Sequence, residues 1–173
     1  MQKTLFKKYL RITSLIIFVS FVLLSFVMLI AISNYWQSEK QELLRKNAQS
    51  VARIASESVI TVNRGEYQVD GVRMQTFIVA FAENIDADIF VTKTDGQTLL
   101  AAYGGNVDST KKVSGAIMRK ALDGGYIAQG TMDGFYDQPY YIVGVPIAVT
   151  GHNGSVKIGT VFAAYSVRSF NAF

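Results

Sequence analysis

Few residues in this chain carry groups that do covalent chemistry, and their spacing suits it poorly. There is no cysteine, which excludes disulfides, thiol nucleophiles and thiolate metal sites. The one histidine, His152, falls in the polar turn His152-Asn153-Gly154, and zinc is left without a ligand set. Ser109 and Lys112 fit the S-x-x-K pattern of acyl-transfer enzymes, but its companion motifs are missing, and the stretch reads as the polar start of a helix. Asp86 with Asp88, and Asp133 with Asp137, could each join a calcium site, yet no loop has EF-hand spacing. They read as solvated turn carboxylates. No nucleophile–base pair stands out, so no catalytic residue, metal site or cofactor is expected.

Binding chemistry remains. Tyr103, Tyr126, Phe135, Tyr136, Tyr140 and Tyr141 concentrate in the second half of the chain, with Arg73, Arg119 and Lys120 available as anion anchors. Aromatic walls with a few polar groups suit a small-molecule pocket, and the candidate ligand-binding set is Tyr103, Arg119, Tyr126, Tyr136 and Tyr140. Each ring taken alone reads more readily as ordinary core or rim than as part of a pocket. Nucleic acid is not an expected ligand. The formal charge is +4, but residues 1–11 hold four of the seventeen basic groups and none of the thirteen acidic ones. The rest of the chain is balanced and has no excess of cations for phosphates.

The elements that must position these residues begin with Ile12–Ile32, a run without a charge. A helix of this length spans about 30 Å, the thickness of a bilayer's hydrocarbon core. Thr13, Ser14, Ser20 and Ser25 are its only polar side chains, and their hydroxyls can bond back to helix carbonyls. Lys3, Lys7, Lys8 and Arg11 precede the run, and Tyr35 and Trp36 follow it at the membrane–water boundary. The positive-inside rule then keeps residues 1–11 in the cytoplasm and puts everything after residue 33 outside, anchored in the plasma membrane. Ala31-Ile32-Ser33 offers the small residues of a signal-peptidase site, but the apolar run is longer than such leaders use, which favours a retained anchor.

No glycine or proline separates the anchor from the polar run that follows, so one helix is expected to continue to about Asn63, ended by Arg64-Gly65-Glu66. Along it Leu44, Ala48, Val51, Ala55, Ser58 and Val62 repeat at 4-3-4-3-4 spacing. That face pairs with a second copy in a parallel dimer, covers the protein's own sheet, or does each over a different segment. A second helix is expected over Val72–Ile85, with Val72, Phe77, Ala80, Phe81 and Ile85 on its apolar face. Strands follow at Asp88–Thr92 and Thr98–Ala102, joined through Asp95-Gly96, then a polar loop from Gly104 to Lys112 and a short helix near Val113–Leu122 stopped by Gly124-Gly125. The last strands are Tyr126–Thr131, Tyr140–Thr150 and Val156–Tyr165. YYIVGVPIAV and GTVFAAY are continuous apolar runs, not in–out alternations, so both faces of the sheet should be covered. Pro146 marks an edge or a bulge, and Gly144 and Gly159 mark close approaches.

The order helix–helix–β–β–helix–β–β–β behind a membrane anchor resembles PAS-like, Cache-type extracytoplasmic sensor domains. ADIFVTKTDGQTLL at 87–100 is similar to the first hairpin of such sensors in bacterial histidine kinases, and MDGFYDQPYYIVGVPIAVTGHNGSVKIGTVFAAYSV at 132–167 to their last two strands. The fold expected is α+β, a five-stranded antiparallel sheet with helices on its faces. The resemblance implies a cytoplasmic tail at 1–11, a transmembrane helix at 12–33, a stalk helix at 34–63, a sensor domain at 64–168 and, at 169–173, the start of a connection to a second span. It also implies a homodimeric two-component receptor, dimerised through the stalk. A small molecule or an envelope protein would be its signal, and a response regulator would be reached through a kinase part. The ligand cavity of such sensors lies between the sheet and the aromatic-rich connecting region. The chain departs from the family in having no second hydrophobic span, no phosphoacceptor-histidine helix and no glycine-rich nucleotide segments, so it is expected to be the input half of a longer receptor whose kinase domains lie outside this sequence. An enzyme acting on the envelope is a third reading, without a constellation to support it. A pilin-like structural subunit is the alternative. Against it, no glycine stands directly before the apolar run and no glutamate among its first residues.

Overall fold

The structure is a computed structural model and describes residues 2–62, 66–69, 71–102, 111–151 and 154–167. The chain divides into two compact units, Met1–Lys40 and Gln41–Phe173. Helix α1 runs over Gln2–Glu57 and belongs to both. Within the first unit it contains Tyr9–Ile32, a stretch long and apolar enough to cross a membrane, with none of its residues buried. Ser20 Oγ donates to the Ile16 carbonyl, so its hydroxyl is satisfied inside the helix, as lipid would require.

The second unit is built on a five-stranded antiparallel sheet of β3 (Asp88–Lys93), β4 (Thr98–Ala102), β5 (Tyr126–Gly130), β6 (Tyr140–Gly151) and β7 (Gly154–Ser166), in the order β4-β3-β7-β6-β5. Helix α2 (Gly71–Ile85) and the Leu44–Ala55 part of α1 cover one face; helix α3 (Gly115–Gly124) and the 131–139 loop cover the other. Both faces are therefore buried, which explains why β6 and β7 do not alternate. Leu44, Ala48, Val51 and Ala55 lie in the chain's own core. The small side chains at positions 48 and 55 let α1 lie close, while burial of Leu44 and Val51 stabilises the layer by roughly 1.5–3 kcal/mol each. Over Leu44–Ala55 the seam therefore covers the protein's own sheet.

Three local expectations need correction. Helix α1 ends at Glu57, short of Asn63, with the Ser58 amide donating to both the Ile54 and Ala55 carbonyls. Val59, Ile60, Thr61 and Val62 are all β-branched and stiff at χ1, and the chain uses them as β1 (Val59–Val62), paired with β2 (Glu66–Val69) in a separate two-stranded sheet. The Arg64-Gly65 part of the expected cap lies outside the described residues. On α2 the buried face is Met74, Ile78, Ala82 and Ile85, whereas Phe77 is 42% exposed and Ala80 faces outward. Helix α3 starts at Gly115, not at Val113. Lys112 bridges to Gln97 and the Val113 amide donates to the Gly96 carbonyl, which ties the approach to α3 to the β3–β4 turn.

The turns follow their chemistry. Gly96 has φ 87°, and the Asp95 carboxylate accepts from the Gln97 amide, a bond that holds its pKa below the ordinary carboxylate value, with nearby Lys112 acting the same way. At Pro146 both expectations hold. β5 pairs with β6 only as far as Gly144, so Pro146 lies where β6 has lost that neighbour, and the β6–β7 register shifts just beyond it, between Ile147 and Ala148. A side chain at Gly159 would run into the Thr92 carbonyl of β3.

Candidate functional site

Strand register assembles the candidate site on the α3 side of the sheet. Phe90 of β3 pairs with Phe162 of β7, Phe162 with Gly144 of β6, and Gly144 with Tyr126 of β5. Residues paired in this way share a face, so one line across four strands reads Phe, Phe, Gly, Tyr. The gap at Gly144 shapes that line. A Cβ there would stand 2.6 Å from a Phe162 ring carbon and 3.2 Å from the Tyr126 Cβ. With no side chain at 144, the Phe162 ring reaches over β6 and meets Tyr126 edge-on, centroids 6.4 Å apart at 73°.

The 131–139 loop closes over these rings. Phe135 stacks on Phe90 with centroids 5.0 Å apart and planes 12° from parallel, and Phe90 stacks on Phe162 at 5.2 Å. Tyr136 meets Phe135 edge-on at 5.2 Å and stacks on Tyr140 at 3.9 Å. Six rings thus form a connected chain, Tyr140–Tyr136–Phe135–Phe90–Phe162–Tyr126, and such pairs contribute roughly 0.5–1.5 kcal/mol each beyond the burial itself. Ile117, Met118, Ala121 and Met132 fill the space around them.

To place Phe135 and Tyr136 inward, the loop adopts an unusual backbone. Met132, Asp133 and Gly134 have φ of 55°, 54° and 81°, and the two non-glycine residues in this left-handed region cost about 1–2 kcal/mol apiece. Burial of Met132, Phe135 and Tyr136 offsets that cost. Polar ties hold the fold of the loop. The Tyr136 amide donates to the Thr131 carbonyl at 3.0 Å, Lys111 Nζ donates to the Phe135 carbonyl at 3.0 Å, and Ser114 Oγ donates to the Asp133 carboxylate. Ser114 is also the N-cap of α3, its Oγ accepting from the Ile117 amide, so one hydroxyl joins the helix start to the loop. The Tyr126 phenol is pushed above its ordinary pKa, first by burial and then by the Asp133 carboxylate.

The sequence-derived candidates separate into distinct places. Tyr126, Tyr136 and Tyr140 come together in the ring chain, as does Phe135. Arg119 and Lys120 are exposed on α3, off the face formed by Ile117, Met118 and Ala121, so they anchor nothing among the rings. Tyr141 belongs to the opposite core, under α1 and α2. Tyr103, His152 and Ser109 lie outside the described residues, as does the side chain of Arg73. Lys112 of the S-x-x-K match is exposed and stands 3.6 Å from the Asp95 carboxylate. Asp88 is not a solvated turn residue. It begins β3 and is 7% exposed, whereas Asp86, Asp133 and Asp137 are exposed. The centre of the site, Phe90 and Phe162, was not singled out from the sequence, because each sits inside an apolar run where inward and outward residues look alike. Gly144 between Tyr126 and Phe162 was the available signal. What the arrangement offers chemically is stacking and apolar contact.

No protein-family model matches the chain, and no curated protein matches its sequence. Its fold does match a solved structure, the ligand-binding domain of the Campylobacter jejuni chemoreceptor Tlp3 in complex with L-valine, with a TM-score of 0.52 and 12% identity. The match covers 79% of this chain and 55% of that one. An apolar N-terminal helix followed by a helix-covered, five-stranded antiparallel sheet is thus similar to a chemoreceptor ligand-binding domain in fold, and this chain spans about half the length of that structure.

Proposed function

We propose that this chain is the signal-input region of a membrane receptor, a sensor domain held outside the plasma membrane by its N-terminal helix. The observation that carries the reading is the fold itself, a sheet buried on both faces and similar to a chemoreceptor ligand-binding domain, joined to an apolar segment through α1. Small molecules are the signal it is best suited to, through the aromatic face around Phe90 and Phe162. Of the candidate set, Tyr126, Tyr136 and Tyr140 belong to this proposal and Arg119 does not. A change in how the sheet packs against Leu44–Ala55 would be passed along α1. The output is a cytoplasmic histidine kinase acting on a response regulator, supported by the sequence resemblance of 87–100 and 132–167. In a homodimer the contact falls on positions of α1 other than Leu44, Ala48, Val51 and Ala55, which are committed to the core.

The absence of cysteine gives a clean test of sidedness. Lys120→Cys, at an exposed position of α3, is expected to react with a membrane-impermeant maleimide in intact cells. Labelling only after lysis would overturn the placement. The kinase assignment is checked separately by reading the frame beyond Phe173, where a second apolar run and a phosphoacceptor-histidine helix are expected.

A further inference from the structure

We infer that the aromatic face is a slot for a small flat aromatic compound, and that Phe135 is the chain's own occupant of it. The inference rests on the small-molecule reading above and specifies its chemistry. Phe90 and Phe162 are fixed in strands, fully buried and paired in register, whereas Phe135 reaches them from a loop. Its ring lies nearly parallel to Phe90 and edge-on to Tyr136, so the place it fills is flat and bounded by the Phe90 ring face and the Tyr136 ring. An aliphatic side chain would fill the volume as well but would gain nothing from those ring faces.

The cover is also built to be displaced. Met132 and Asp133 hold a backbone conformation that relaxes when the loop lifts, and Phe135 and Tyr136 lie outside the strands, without ladder hydrogen bonds of their own. Lys111 and Ser114, both outside the loop, supply two of its ties through side chains that can let go without unfolding α3. A ligand ring that stacks on Phe90 replaces the contact Phe135 loses, and its own burial, with relaxation of Met132 and Asp133, offsets the burial that the lifted loop gives up. It also changes where the loop lies, and that displacement is the signal.

The test uses the full chain in lipid nanodiscs, with benzyl alcohol as the flat probe and cyclohexylmethanol as its saturated counterpart, the two compared at equal membrane-bound concentration. Hydrogen exchange is read at residues 132–136. Benzyl alcohol is expected to speed exchange there in the wild type, and cyclohexylmethanol to leave it unchanged. Phe135→Leu keeps the slot covered while removing the competing ring. It should bind benzyl alcohol about tenfold more tightly, the equivalent of one lost stacking contact. Equal effects of the two alcohols, or none in the wild type, overturn the proposal. So does tight binding by Phe135→Leu while the wild-type loop stays protected, which would mean an adventitious cavity only. Should L-valine stabilise the wild type with the loop still protected, the sensor reading stands and the aromatic slot falls.

Discussion

The two faces of the sheet are covered by different means. Under α1 and α2 the contacts are mostly aliphatic and small, with Ala48, Val51 and Ala55 in one cluster with Met74, Ile78, Ala82 and strand residues such as Ile89, Val91 and Val161. Regular helices bring those residues in, at the spacing their own geometry provides. Under α3 the contacts are rings, and half of the cover is a loop with left-handed residues held by single polar ties. The first face resembles a permanent core. The second concentrates strain, aromatic surface and few backbone hydrogen bonds, the features expected of a segment that opens locally at low free energy.

Three substitutions break or sharpen that contrast. Ile78→Ala removes a fully buried side chain from the aliphatic face and should cost about 3 kcal/mol of global stability, read as a lower denaturant midpoint. A loss near zero would mean that α2 is only loosely attached. Gly144→Ala places a methyl group against the Phe162 ring and should cost about 2 kcal/mol, because that ring is already pinned by Phe90 and Tyr126. The edge-on arrangement of Tyr126 and Phe162 should be lost with it, visible in the Tyr126 ring shifts by NMR. Ser114→Ala has the smallest expected effect, about 1 kcal/mol, since it removes the α3 N-cap and the tie to Asp133 together. Exchange should rise at 132–136 while the amides of Met74–Ala82 keep their protection. Equal loss on both sides would show that the two faces open as one unit.

The same contrast decides what was legible in the sequence. Regular elements declare themselves through periodicity and turn residues, and β4 was read at its observed limits, Thr98–Ala102, because Asp95-Gly96 fixes the hairpin before it. The α1 seam was equally plain, although its choice of partner was not, since spacing alone does not say whether a helix meets its own sheet or a copy of itself. Helix α2 was found with its face partly rotated. Ile85 is buried and Phe81 packs at the margin of the core, but Phe77 turns outward and the sheet takes the narrower 74-78-82-85 line. The aromatic site was half visible. Its tyrosines and Phe135 cluster in sequence, whereas the joining of Phe90 to Phe162 depends on a register between strands seventy residues apart, and the inward turn of the 131–139 loop depends on backbone angles that Met132 and Asp133 seldom adopt.

Pro146 has a further consequence. Past Gly144, strand β6 runs on with β7 but without β5, a bare margin of the kind that recruits foreign strands and seeds aggregation. Proline leaves that margin one donor short, and the register shift directly after it bends the ribbon out of a straight template. The residue therefore helps keep neighbouring copies of the chain from zipping up along this rim.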